Sequence, residues 1–189
     1  MSWTDDWREL EETARKIDPA IRLTTKNGWF WKAIAVILFI LSFGTFKRER
    51  FLESFATTIG PVQAYPESWS TTQVRHTIIH EGRHTRQARA FGFGIHPWAG
   101  IPFMLLVYGL LPLPAGLAVF RAWLELDADR YRWRILLKEG VSPEAIRRRA
   151  RSFAETVSSS AYLWSLPAAW TVKWFAAEAE KAIAEIRPE

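Results

Sequence analysis

The pattern of apolar and polar positions contains two long, almost purely apolar runs, residues 28–46 and residues 98–120. A helix needs about 20 apolar residues to cross a bilayer, so 28–46 is a candidate membrane helix. The second run carries no charged residue, but three prolines interrupt it. It therefore predicts a hydrophobic hairpin, transmembrane or re-entrant, rather than one straight helix. The alternative is that both runs are core helices of a water-soluble domain.

Between the two runs lies an extended segment, residues 55–69, with the sequence FATTIGPVQAYPESW. Its Thr, Ile, Val and Tyr residues favour β-structure, and the break at Gly60 and Pro61 predicts one short strand or a pair of them. Proline has no backbone N–H to donate, so we expect this segment at the edge of a sheet.

Helix boundaries are clearest after this segment. Ser70 and Gln73 form a capping box, and Gly92 follows the last apolar position, so we predict a helix over 70–91. A second long helix is predicted over 114–138, and shorter helices follow it.

Length and composition favour one domain, residues 1–189, of mostly helical α+β class. The 11 Trp and 12 Phe residues suit a lipid boundary or a partner surface. Without cysteine, no disulfide or thiolate metal site can form. The net charge of +5 suits membrane lipid, and no nucleic-acid motif accompanies it, so we expect no specific nucleic-acid partner. No feature predicts an oligomeric state.

The candidate chemistry begins with the string HEGRH in the middle of the predicted helix. His80 and His84 lie one helical turn apart, so both rings can reach one ion at about 2.0–2.1 Å. Glu81 follows the first histidine and can take a proton from water bound to that ion. The pattern predicts a catalytic metal site.

The other two histidines are less specific. His76 lies one turn before His80, but the outer histidines of the three are about 12 Å apart along the helix axis. They cannot all bind one ion, so His76 either supports a ligand or faces the substrate, or it is an ordinary helix residue. His96, in GIHPW, either lines a cleft or closes a turn, and it is the rival third ligand.

Glu125 is the better third ligand. Together with Asp129 it lies on one face of an apolar, aromatic helix, where acidic groups are costly unless they are paired or bound to a cation. Asp129 could accept the free N–H of a ligating histidine. The alternative is that Glu125 pairs with Arg121, and Asp129 with Arg132 or Arg134, as surface ion pairs.

The spacing of HEGRH and the later ELDAD resembles the gluzincin zinc metallopeptidases, and among them the membrane-embedded CAAX prenyl and heat-shock membrane proteases. The resemblance implies that His80, His84 and Glu125 bind Zn²⁺. It further implies that Glu81 is the general base and that Asp129 orients a ligating histidine.

The chain departs from that family at Gly82 and Arg83, where small apolar residues are usual. A second, weaker resemblance is to small metallopeptidase-like proteins of tailed phages. These share a TTIG strand ahead of the zinc helix and a glutamine after it, here Gln87. The second resemblance implies a virion component as an alternative localisation.

The expected function is therefore that of a membrane-associated zinc metallopeptidase, which hydrolyses peptide bonds of a peptide or protein substrate. The edge strand would align the substrate as an added strand. Four residues are candidates for stabilising the oxyanion: His76, Arg83, His96 and Tyr131. The alternative is a structural or membrane-interaction protein whose metal is structural or absent.

Overall fold

The computed structural model describes residues 3–44, 46–104, 116–159 and 166–186. These residues form a mostly helical α+β protein with a three-stranded sheet, which confirms the predicted class. The chain divides into two compact units, Met1–Ile101 and Pro102–Glu189. The single-domain organisation stays a prediction.

The first unit holds all strands of the sheet. Its elements follow one another in the order α1 (Trp3–Ile17), β1 (Arg22–Thr25), α2 (Trp29–Leu41), α3 (Arg48–Ser54), β2 (Thr57–Ile59), β3 (Val62–Tyr65), α4 (Thr71–Phe91) and a 3₁₀ turn (Pro97–Gly100).

The strand β3 lies at the centre of the sheet. It pairs antiparallel with β2 and parallel with β1, where Arg22 lies opposite Val62. Gly60 makes the turn between β2 and β3 with a φ of +58°, a conformation that glycine adopts without strain. The predicted pair of short strands is confirmed, but of the two only β2 lies at the edge of the sheet, because β3 is paired on both sides. The strand β1 was not predicted, because the four residues of RLTT are too few to show a period.

The helices α1 and α4 pack on each other. Leu10 and Ala14 of α1 and Val74 and Ile78 of α4 are buried, at 2% exposure or less. Burial of side chains as large as leucine or valine contributes about 1.5–3 kcal/mol each. This packing holds one side of α4 against α1.

An ion pair also connects these two helices, at the C-terminal end of α1. The guanidinium of Arg89 donates from Nε to Oδ2 and from Nη2 to Oδ1 of Asp18, both at 2.7 Å. This hydrogen bond, with the charge of Arg89, holds the pKa of the Asp18 carboxyl below its ordinary value against the opposing effect of burial. The pair therefore ties α1 to the C-terminal end of α4.

The first apolar run forms the helix α2, which has 13 residues. Its end is defined by Phe43 and Gly44, both in left-handed conformation, and the Gly44 N–H donates to the Phe39 carbonyl at 2.8 Å. Because the chain leaves the helix so early, the candidate membrane-spanning helix at 28–46 is wrong. Within the described part of the chain, every helix is too short or too polar to cross a bilayer.

The centre of the second apolar run, residues 105–115, lies outside the described residues. The hydrophobic hairpin predicted over 98–120 therefore stays a prediction.

The second unit contains α5 (Gly116–Lys138), α6 (Pro143–Val157) and α7 (Ala168–Ile186). Its core includes Trp133 and Phe175, both fully buried. The start of α6 is capped by Ser142, whose hydroxyl accepts the Ala145 N–H at 3.3 Å. The long helix predicted over 114–138 and the shorter helices after it are confirmed.

Candidate metal centre

The helix α4 carries the HEGRH string in its middle turns, as predicted. The Ser70 hydroxyl accepts the Gln73 N–H at 3.3 Å, and the Gln73 side chain accepts the Ser70 N–H at 2.8 Å. This confirms the capping box. The helix ends at Gly92, also as predicted, so both histidines lie away from its frayed ends.

His80 and His84 point toward one position. Both side chains are buried, with 6% and 7% exposure, and their Nε2 atoms are 3.1 Å apart. Two imidazoles that bind one tetrahedral ion at about 2.0–2.1 Å have their nitrogen atoms about 3.3 Å apart. The spacing of the pair therefore fits two ligands of one ion.

Gln87 determines the tautomer of His84. Its Oε1 lies 2.8 Å from His84 Nδ1, and an amide oxygen only accepts, so Nδ1 carries the proton. Nε2 of His84 is then an acceptor, either for Nε2–H of His80 or for a cation. A partner on the other ring nitrogen is a common feature of histidine ligands. Gln87 was noted in the sequence only for its position, and this role was not predicted.

Glu81 is buried beside the histidine pair, at 8% exposure. The Thr58 hydroxyl donates to Glu81 Oε2 at 2.5 Å. Since Thr58 belongs to β2, the edge strand of the sheet contacts the glutamate of α4 directly. The contact was not predicted, because sequence spacing shows no link between residues 58 and 81.

Lys26 places a buried amine near Glu81. Its Nζ donates to the Phe51 carbonyl at 2.9 Å and lies 3.8 Å from the centre of the Phe51 ring. Burial lowers the pKa of Lys26 to about 7, and the charge of Glu81 opposes that shift. No pattern around Lys26 in the sequence indicates that this lysine is buried.

Further polar residues lie buried between the sheet and α4. The Tyr65 hydroxyl donates to Gln63 Oε1 at 2.8 Å, and Gln63 Nε2 lies 3.5 Å from the Thr85 hydroxyl. Burial, and then the charge of Glu81, raise the pKa of Tyr65 well above its ordinary value. Tyr65 therefore stays neutral and acts as a hydrogen-bond donor. The sequence signal for this layer is weak: polar positions inside β3 and α4.

The second unit carries the predicted acidic residues on α5. Glu125 is 4% exposed and Asp129 is fully buried, as expected for acidic groups on an apolar helix. Arg132 Nη2 lies 2.6 Å from Asp129 Oδ1, so the alternative ion pair exists, although its carboxylate is buried rather than on the surface. Tyr131, on the same helix, is half-buried.

The remaining candidates differ in burial. His76 is exposed on α4, and Arg83 is half-buried. His96 is exposed, and its Nδ1 accepts the Trp98 N–H at 3.3 Å. It therefore closes a turn, one of the two roles considered for it. Within the described residues, neither His76 nor His96 belongs to a group of three side chains that could hold a metal ion.

Comparisons of the chain with known protein families, with curated proteins and with solved structures find no match. The resemblance to the gluzincins consequently rests on the two motifs alone.

Proposed function

We propose that the protein binds one Zn²⁺ ion through His80, His84 and Glu125 and hydrolyses peptide bonds as a gluzincin-like metallopeptidase. The observation that carries the proposal is the histidine pair, whose Nε2 atoms have the spacing of two ligands and whose His84 tautomer is set by Gln87. In the described part of the chain, the three proposed ligands are the group that could hold a metal ion.

The donor set fits zinc. Two neutral imidazoles and one carboxylate are the ligands of a well-known class of catalytic zinc sites, which leave one position open for water. A zinc ion bound there would act as a Lewis acid and lower the pKa of that water toward about 7. Copper and nickel also accept imidazole, so the metal identity belongs to the test below.

The protein's own part in the reaction falls to Glu81 and Thr58. Glu81 accepts the proton of the attacking water and later delivers it to the leaving amine, and Thr58 holds the carboxylate through Oε2. Asp129 is proposed to orient a ligating histidine. We assign the stabilisation of the oxyanion to none of the four candidate residues.

The substrate is proposed to be an extended peptide segment that adds to β2. Among the described residues this strand is paired on one side only, since it lies at the edge of the sheet order β1-β3-β2. Main-chain hydrogen bonds to an edge strand align a peptide with little regard to its side chains. Because Thr58 belongs to this strand, the peptide and the glutamate would be held by the same element.

The decisive experiment measures metal content and peptidase activity on the same samples, with an unfolded protein such as casein as substrate. Wild type is expected to hold one zinc per chain. His84→Ala and Glu125→Gln should lose the metal, whereas His76→Ala, the exposed histidine of the same helix, should keep it. A chelator-treated wild type that takes up no zinc would contradict the proposed site.

The variant Glu81→Gln distinguishes a catalytic metal site from a structural one. General-base catalysis contributes about 10²–10⁴-fold, so activity should fall by at least about 100-fold while zinc stays bound. Two outcomes would show that a bound zinc ion is structural. Either Glu81→Gln has the same peptidase activity as wild type, or the zinc-bound wild type has no peptidase activity.

The alternative function is that of a structural or membrane-interaction protein, including a virion component. The observation in its favour is the set of large apolar side chains left exposed, with Trp29 at 81% and Phe43 at 97%. We propose membrane association under either function.

A further inference from the structure

Apart from the exposed Lys32, the helix α2 is apolar on every side, but it buries only one. Trp31 and Ala35 are 5% and 1% exposed and belong to a core cluster with Phe51 and Ala64. A helix on the surface of a water-soluble protein normally carries polar residues on the opposite side. On α2 that side, together with the residue that follows the helix end, forms an exposed apolar group, here called the α2 face: Trp29, Phe30, Val36, Ile37, Phe39, Ile40 and Phe43.

Phe43 is the most exposed member of the α2 face. It has a φ of +52° and an exposure of 97%. Glycine is the usual residue at this position after a helix, because a side chain strains the left-handed backbone. A phenylalanine here accepts backbone strain and places its ring in the solvent, so packing inside the protein does not account for it.

A basic segment follows the α2 face. Lys47, Arg48 and Arg50 are exposed, with Glu49 as the acidic residue among them. The guanidinium of Arg48 lies 5.7 Å from the centre of the Phe39 ring, so positive charge lies directly beside the apolar surface. Apolar side chains flanked by Lys and Arg are typical of helices that lie in the surface of an anionic bilayer.

We propose that the α2 face docks on an anionic phospholipid surface, with the helix in the plane of the membrane and residues 47–50 against the lipid headgroups. The helix has 13 residues where a span needs about 20, so it lies on the bilayer rather than crossing it. The inference rests on the proposed membrane association and not on the metal chemistry.

Charge favours lipid over a second copy of the chain as the occupant. A symmetric dimer through this face would place the same patch on both copies. The basic segment of each would then lie beside the interface with no acidic partner patch on the α2 face to meet it. Anionic headgroups neutralise that segment instead.

The test is flotation of the full chain with phosphatidylcholine vesicles, with and without phosphatidylserine, at low and high salt. Wild type should float with the anionic vesicles, and less so at high salt. Ile37→Asp/Ile40→Asp should weaken binding by about tenfold or more, because charge replaces inserted apolar area. Trp170→Asp, with 46% exposure on α7, is the control and should bind like wild type.

A second pair of variants distinguishes a loss of membrane binding from a loss of the fold. Phe43→Gly puts the favoured residue into the left-handed position, so the fold should be kept while binding falls. Phe93 has the same conformation and 92% exposure after α4, so Phe93→Gly is the matched control and should leave binding unchanged. Equal loss in both variants would overturn the assignment to the α2 face.

The remaining outcomes separate this inference from the proposed function. Wild type that floats while Ile37→Asp/Ile40→Asp floats equally well refutes the α2 face but keeps the membrane association. Wild type that stays in solution refutes both. A concentration-dependent dimer that the double substitution abolishes, without vesicle binding, makes a second copy the occupant. Chelation of the metal should change none of these results.

Discussion

Lys26 shows at the scale of one residue how burial and a neighbouring charge compete. Its amine is held by the Phe51 carbonyl, and the negative charge of Glu81 favours the protonated form. Desolvation is nevertheless the larger effect, because the pKa falls from 10.5 to about 7. Water removal therefore outweighs the attraction between the two groups.

Substitution of Lys26 by methionine should reveal this shift. Between the folded pKa of about 7 and the unfolded value of 10.5, the unfolded chain binds a proton that the folded protein does not. The free energy of unfolding of wild type, relative to Lys26→Met, should therefore rise with pH across this window, by up to about 1.4 kcal/mol per pH unit. Urea denaturation at several pH values measures it.

The control for this experiment is Lys32→Met, which removes an exposed lysine from α2. Its stability relative to wild type should stay nearly constant over the same range. A flat difference for Lys26→Met as well would show that Lys26 remains charged in the fold.

At the scale of elements, Gly82 sets how closely α1 and α4 approach. A Cβ on Gly82 would lie 2.9 Å from both Cδ1 and Cγ2 of Ile17, closer than packed carbon atoms come. The departure from the gluzincin pattern at this position thus has a packing reason. The glycine allows the helix of the histidine pair to rest against α1, while Thr58 holds its other side to β2.

Gly82→Ala should lower the free energy of unfolding by about 1–3 kcal/mol, because overpacking outweighs the better helix propensity of alanine. In an Ile17→Ala background the same substitution should be neutral or stabilising by up to about 1 kcal/mol. Thermal and urea denaturation of the four proteins gives the coupling between the two positions. Equal effects in both backgrounds would mean that Ile17 is not the obstacle.

At the scale of the whole molecule, a metal ion held by the proposed ligands would contribute to the stability of the fold. An ion that binds only the folded chain stabilises it by mass action. The free energy of folding and the metal affinity are then linked, whichever function the metal serves.

Zinc added to chelator-treated protein should therefore raise Tm. At a free zinc concentration of about 100 times Kd, the gain of about 2.7 kcal/mol corresponds to roughly 5–10 °C for a chain of this size. His84→Ala should abolish the rise and His76→Ala should retain it, as measured by calorimetry. A rise of equal size in His84→Ala would place the metal elsewhere.

The sequence by itself determined the features that depend on neighbours along the chain. The capping box at Ser70 and the stop at Gly92 are local hydrogen-bond and backbone preferences, so they could be predicted correctly. The one-turn spacing of His80 and His84 is likewise a property of any helix. The hairpin around Gly60 followed from the turn residues in the same way.

Only the tertiary structure decided what lies beside these elements. The hydroxyl of Thr58 on Glu81, the burial of Lys26 and the contact of Gly82 with Ile17 join residues far apart in sequence, and no local period encodes such contacts. The structure of the apolar run at 28–46 was likewise decided by the tertiary structure. The composition of this run suited a membrane-spanning helix, but the left-handed turn at Phe43 ends α2. The core packing of Trp31 and Ala35 then buries only one side of the helix.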